Sequence, residues 1–334
     1  MGRERQRIFF LTAFLLFVFT GFLSLFVGPY KVGPGEVWRG LVSFLTFSKG
    51  ETPGVRVILE LRIPRTLLAV LAGGSLAMGG SIFQTVLGNP LADPYILGVS
   101  GGAAAGAVLS FLVSEGTTGG ILLPLFSFLG ATAAAFTVFA LAGVSGKRSG
   151  GRLILTGVIV AAFMNAIILL LISVIPPGKI PGALFWLMGD LSFATAGSVR
   201  LLLPLVLAST ILLLFIARGL DVMLLGDETA LQSGLDVEKF KAVLFIVVSI
   251  LTGAVVSISG LIGFVGLIIP HMVRKFTGSL HRSVISGSFL LGAAFLALSD
   301  VISRSVLATG SLPIGAITAL VGAPFFIYIL RRRL

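Results

Sequence analysis

The sequence has no cysteine, only two histidines, and thirteen acids among 334 residues. Without thiols there are no disulfides, no thiol nucleophile and no cysteine-ligated metal. The two imidazoles, His271 and His281, stand among Arg274, Lys275 and Arg282 with no cysteine or carboxylate beside them. A single imidazole is not a metal site, so none is expected. Charge is scarce too, at 11% of the chain, where a soluble globular domain carries about 25%. What the chain has instead is 56% apolar residues and a mean hydropathy of +1.11. Most of its surface must face lipid.

Spanning a bilayer takes roughly 20 mostly apolar residues. Ten helical segments can be marked, at 8–28, 60–83, 92–113, 119–144, 152–174, 198–218, 240–259, 263–275, 282–303 and 312–330. Helices are required because backbone exposed to lipid must satisfy its own hydrogen bonds, and the alternation of a barrel is absent. The first apolar run follows Arg3, Arg5 and Arg7 but is too long for a signal peptide and lacks a small-residue cleavage site. It reads as a permanent span. The eighth segment is too short to cross alone and is expected inside the bundle.

The net charge of +11 is distributed as a membrane protein's, not as a nucleic-acid binder's. Arg3, Arg5, Arg7, Lys147, Arg148, Arg152, Arg218, Lys239, Lys241, Arg274, Lys275, Arg282 and Arg331 to Arg333 fall on one face, fifteen bases against nine. The positive-inside rule makes that face cytoplasmic, with both termini on it.

Two stretches are not membrane-like. Residues 28–59 form a mixed loop with Pro29, Pro34 and Pro53, expected outside. Residues 220–241 are polar and cytoplasmic, and their core from Asp227 and Glu228 to Gly234 opens with acids and ends at glycine, as a short helix does. Such a helix has no use for lipid; a protein partner and a solvated connector are the two readings open. Forty-three glycines thin the spans. Gly98, Gly102 and Gly106 share a helix face; Gly73, Gly74, Gly79 and Gly80 mark a second helix, and Gly260, Gly263 and Gly266 a third. Small residues at such spacing let backbones approach closely.

Ionisable residues within spans are few. Asp300 and Arg304 are spaced to share a helix face, and Arg62 and Arg65 flank Pro64. No run of acids or histidines lies at mid-membrane, which weighs against a proton-coupled carrier. Gly98-Val99-Ser100-Gly101 and Gly143-Val144-Ser145-Gly146 imitate an intramembrane serine protease, yet both histidines lie at the cytoplasmic edge, out of reach as bases. Gly146-Lys147 imitates the end of a P-loop, but Leu141 and Arg148 occupy positions that need glycine and Ser or Thr. This chain does not hydrolyse ATP alone.

Four blocks, taken together, resemble the FecCD-type permeases that import ferric siderophores, haem and cobalamin. The first is Leu61-Arg62-Ile63-Pro64-Arg65 with Gln84, Asn89-Pro90-Leu91-Ala92-Asp93-Pro94 and Leu97 to Ala103. The second is Phe185-Trp186-Leu187-Met188-Gly189, and the third is Leu225 to Ala230 with Gly234. The fourth runs from Gly263 through Pro270-His271 and Arg274 to Asp300, Arg304, Leu312-Pro313-Ile314-Gly315 and Gly322 to Phe325. The resemblance implies an all-α, ten-helix permease of the type II ABC importer kind, in a prokaryotic cytoplasmic membrane. It implies a homodimer with the path at its interface, two ATP-binding cassette subunits and an external binding protein. It assigns Gly226, Asp227, Glu228, Ala230 and Gly234 to ATPase contact. It assigns Arg62, Arg65 and Arg304 to binding-protein docking, where snorkelling is the other reading. Asn89, Pro90 and Leu91 become part of the cytoplasmic gate. No cofactor is implied. The sequence departs from the family pattern at Ser311, where an acid is common, and at Ser149-Gly150-Gly151, where relatives carry more hydroxyls.

Overall fold

The computed structural model describes residues 3–50, 52–114, 120–143, 149–307 and 310–333, which hold helices and no strands. Lys147, Arg148 and Ser145 lie outside them. α1 (Arg3–Phe26), α2 (Pro34–Leu45) and α3 (Pro53–Arg56) come first, and α3 passes through a π-helical turn (Val57–Arg62) into α4 (Ile63–Val86). A 3-10 turn (Pro94–Leu97) leads to α5 (Val99–Val113), α6 (Leu122–Gly143) and α7 (Gly150–Val174). Next come α8 (Ile180–Leu187), α9 (Ala196–Phe215), α10 (Ala217–Met223) and α11 (Asp227–Gln232). The chain closes with α12 (Val237–Ser259), α13 (Val265–Thr277), α14 (His281–Ser305) and α15 (Ile314–Arg333).

Among the described residues, α1, the α3–α4 run, α6, α7, α9, α12 and α14 are long and apolar enough to cross a membrane. α5 and the apolar part of α15 are shorter, and α13 has 13 residues. These ten elements match the ten segments read from the sequence, in order. α13 is largely buried, at Val265, Gly266, Ile268, Ile269, Pro270, Val273 and Thr277, as a segment too short to cross must be.

α4 is the axis. Of the apolar window in the α3–α4 run 89% is buried, against 11% in α7, so α4 meets protein on every side while α7 faces outward. The small residues make this possible. A Cβ on Gly73 would sit 2.3 Å from the Gly292 carbonyl oxygen, and one on Gly80 would sit 2.0 Å from that of Gly266. Gly102 and Gly106 admit the α6 backbone at Gly130 and Phe126 in the same way. The third glycine group does not form a helix face. Gly260 and Gly263 lie in the loop between α12 and α13, and only Gly266 is helical and closely packed.

The stretch 28–59 also differs from the loop expected. It holds α2, whose N-terminus is built from Gly33, Pro34 and Glu36: Pro34 occupies the first turn, and Glu36 Oε2 accepts the Gly33 N–H at 3.0 Å. Pro34 and Pro53 mark helix starts rather than a coil. α8 is likewise a helix that its short apolar run did not declare, and the sixth segment breaks at Ile216 before α10 begins.

Two ends can be named by their contacts. At the basal end, Gln6 Nε2 donates to Ser283 Oγ at 2.5 Å and the Phe9 ring stacks on Phe276. At the apical end, the last turn of α1 meets Arg62 and Arg304.

Candidate functional site

The last carbonyls of a helix have no partner within it and carry the negative end of its dipole. At the apical end two arginines meet this need for α1. Arg62 donates to the carbonyls of Leu25 and Tyr30, and Arg304 to those of Val27 at 2.7 Å and Ser24 at 2.7 Å. Both are buried, 4% and 5% exposed, which distinguishes them from freely snorkelling cations. Asp300, fully buried, lies between Arg304 and Arg65. Its Oδ1 accepts from Arg65 Nε at 2.6 Å, and its Oδ2 lies 3.1 Å from Arg304 Nε without hydrogen-bond alignment. The i, i+4 pair expected on this helix is therefore present, with Arg65 added from α4.

Arg65 differs from its two neighbours. Its side chain is 14% exposed, Nη1 donates to Ser192 Oγ at 3.1 Å, and Nη2 has no hydrogen-bond partner among the described residues. The three guanidiniums line a cavity of about 360 Å³ with Tyr30, Ser192 and Ser311. Ser311, at the position where an acid is common, lies 3.2 Å from the Ser192 hydroxyl. It makes no ion pair with Arg304.

At the basal end α4 stops in a glycine-terminated cap. Gly88, with φ +60°, donates to Thr85 O at 3.1 Å, and Asn89 N donates to Gln84 O at 3.1 Å. This 5→2 and 6→1 pair is the Schellman motif, and the left-handed residue it needs is most easily glycine. The turn Asn89-Pro90-Leu91 hangs on it, with Asn89 Oδ1 accepting the Leu91 N–H at 2.9 Å. Gly150 of the departing Ser149-Gly150-Gly151 stretch approaches the Leu87 carbonyl so closely that a Cβ would lie 2.2 Å from it. The two stretches named as gates are thus neighbours.

The polar stretch 220–241 contains the short helix that its sequence suggested, α11. Gly226 precedes it at φ +101°, and Gly234 follows at φ +88°, closing a second Schellman pair through Leu235 N to Ala230 O and Gly234 N to Leu231 O. Ala230 is fully buried, while Asp227 and Glu228 are exposed, as are Leu225 at 70% and Leu231 at 63%. Ala230 therefore seats the helix, Glu228 and the leucines face away from it, and Asp227, though exposed, reaches back to α12. Lys241, one of the fifteen bases, is 5% exposed and ion-paired with Asp227 at 2.5 Å. Asp236 caps α12, and its hydrogen bond with the Lys239 side chain holds its carboxyl below the usual range.

The sequence profile of the FecCD transport family matches residues 16–332. The chain is a member of the FecCD transport family. The cobalamin import permease BtuC of Halobacterium salinarum is 42% identical over 290 residues, covering 86% of this chain and 77% of that one. The iron(3+)-hydroxamate import permease FhuG of Bacillus subtilis is 34% identical over 325 residues, covering 96% and 95%. A solved chain described as a metal-chelate type ABC transporter in an inward-facing conformation superposes with TM-score 0.82 at 30% identity, covering 98% and 99%. This FecCD protein is accordingly a multi-span membrane permease, a transport subunit. The protease imitation also resolves: Ser100 Oγ donates to the Tyr95 carbonyl at 3.2 Å, and His281 lies at the basal end against Asp221 and Thr85.

Sequence reading gave Arg62, Arg65 and Arg304 one docking role by resemblance and paired Asp300 with Arg304 by spacing; the fold adds the contact of Arg65 with Asp300. It missed Asp221, Thr85 and His281 as a group, because partners 60 and 196 positions apart leave no local pattern.

Proposed function

We propose that this FecCD permease forms the translocation path of an ATP-driven importer for ferric siderophore-type chelates, with two copies meeting at the path. The basal end, with both termini, faces the cytoplasm of the prokaryotic inner membrane, as the fifteen bases argue. The observation that carries the reading is α11. It is a bracketed helix seated on Ala230 whose acids, Leu225 and Leu231 project where lipid has no use for acids. Asp227, Glu228 and the two leucines would enter a cleft of an ATP-binding cassette subunit, with Gly226 and Gly234 setting the helix angle. ATP hydrolysis belongs to that subunit.

On the apical face an external binding protein would deliver the chelate. Of the three arginines, Arg65 is the most exposed, at 14% of its side chain, and is the one placed to pair with a partner's carboxylate. Arg62 and Arg304 would hold the platform by fixing the end of α1. Asn89, Pro90 and Leu91 would close the cytoplasmic mouth. The 42% identity with a cobalamin permease favours a second cargo, cobalamin, and the path needs no ligand set for either if the chelate crosses intact.

Mild-detergent purification of the tagged chain from native membranes, with mass spectrometry of co-purifying subunits, tests the proposal. A stoichiometric subunit carrying a Walker A motif supports it, and the captured binding protein can be offered iron-loaded siderophores and cobalamin in competition. A chain that is reproducibly alone sinks it.

A further inference from the structure

The helix pair α10–α11 is tied to the bundle at two places, and they lead to different destinations. Asp227 to Lys241 joins α11 to the start of α12 and goes no further. The second tie begins at Asp221 on α10. Its Oδ1 accepts both the backbone N–H of His281 at 2.8 Å and the ring Nδ1 of the same residue at 2.8 Å. The other ring nitrogen, Nε2, lies 2.7 Å from Thr85 Oγ1. His281 is fully buried at the first turn of α14, so its ring bridges two helices away from solvent.

Because a carboxylate only accepts, Nδ1 carries hydrogen, and Nε2 meets a hydroxyl that can either donate or accept. In the neutral ring Thr85 donates to Nε2. In the imidazolium Nε2–H donates to Thr85, which then donates to the Ser81 carbonyl, 3.2 Å away. The link holds in either state.

Thr85 is also where the cytoplasmic turn begins. Its carbonyl accepts the Gly88 N–H, and the preceding carbonyl, Gln84 O, accepts the Asn89 N–H. Gln84 is itself held, with Nε2 donating to Gly266 O at 3.2 Å and Oε1 accepting from Arg274, which also donates to Ser81 O at 3.0 Å. Three successive hydrogen bonds thus run from Asp221 to the cap that carries Asn89, Pro90 and Leu91.

We propose that His281 is a positioning residue that carries movement of α10–α11 to the gate turn, with Asp221 and Thr85 as its two ends. This rests on the reading that α11 meets an ATP-binding subunit. A displacement of α10 pulls on His281 through two bonds to one carboxylate oxygen, and His281 pulls on the last turn of α4. Gly219 keeps the moving helix close to its neighbour, since a Cβ there would lie 2.6 Å from the Phe240 ring.

The test uses the complete transporter in proteoliposomes. The chain has no cysteine, so Leu91→Cys gives a thiol at the gate turn with no background from this subunit. Its labelling rate is measured with and without ATP, beside substrate uptake per ATP hydrolysed. The comparison set is the parent, His281→Phe, which keeps a ring and the backbone bond to Asp221 but loses both ring-nitrogen bonds, and Thr85→Val, which loses only the hydroxyl. Both variants should lose the ATP-dependent change in labelling, and uptake per ATP should fall about tenfold. The double variant should be no worse than His281→Phe alone, since two links of one chain do not add. A normal response in Thr85→Val overturns the relay even if His281→Phe is impaired, because His281 would then act through α10 only. If the parent itself shows no response to ATP, the coupling reading fails and takes the relay with it.

Discussion

The two ends of the permease use their polar side chains differently. At the apical end charge is concentrated and internal: Asp300 faces Arg65 and Arg304, and Arg62 and Arg304 are occupied by the carbonyls that end α1. At the basal end charged groups (Asp221, Arg274) are linked singly through neutral ones, Thr85, Gln84 and backbone, and the links finish at an exposed turn. A buried charge cluster has one low-energy arrangement and is costly to open. Neutral hydrogen bonds are each worth about 1 kcal/mol and can be exchanged for others. Under the proposed function the apical end is the fixed platform and the basal end the part that moves.

The largest effect expected from breaking this contrast is at Asp300. Asp300→Ala leaves two buried guanidiniums without their carboxylate and should destabilise the permease by about 3–5 kcal/mol. Thermal unfolding in detergent would show it, and a variant as stable as the parent would mean the apical end is not a fixed platform. Next is the axis that joins the ends. Gly80→Ala forces a methyl against the Gly266 carbonyl and should cost about 1–3 kcal/mol, whereas Gly151→Ala, with open space around it, should be neutral or stabilising by the same assay.

Arg65→Glu should lower binding-protein-stimulated ATP hydrolysis on the order of tenfold, the equivalent of about 1.4 kcal/mol at one charged contact. Arg200→Glu, an exposed cation outside the apical cluster, serves as the control; equal losses in both would show a general charge effect rather than docking. A smaller fall is expected when Asp227→Ala and Glu228→Ala are combined, seen as less substrate carried per ATP. Normal uptake in that variant would remove α11 from the coupling path. The smallest change is at Ser192, exposed and adjacent to Arg65. Ser192→Ala should shift stability by about 0.5 kcal/mol.

Much of this was legible in the residues. The ten segments, the short eighth one and the helix within 220–241 follow from apolar run length and from acids ahead of a glycine. The Asp300–Arg304 pair follows from i, i+4 spacing. α2 was missed because its exposed Trp38, Phe44 and Leu45 are interrupted by Gly40 and by charge, so a twelve-residue helix read as a mixed loop. Gly260 and Gly263 were grouped with Gly266 by spacing alone, and spacing does not show where a helix begins. That Lys241 is buried against Asp227 was not legible, because the two stand 14 positions apart.

Composition and pattern by themselves determined that this chain crosses a membrane in many helical passes, because hydropathy accumulates along the chain and lipid admits no unpaired backbone. The order of its motifs determined the family. Only the tertiary structure decided that Arg62 and Arg304 are buried against the end of α1 while Arg65 stays partly exposed, and that Asp221, His281 and Thr85 form one chain. Those facts depend on contacts between residues up to 280 positions apart, and such contacts exist only once close-packed glycines have brought the helices together.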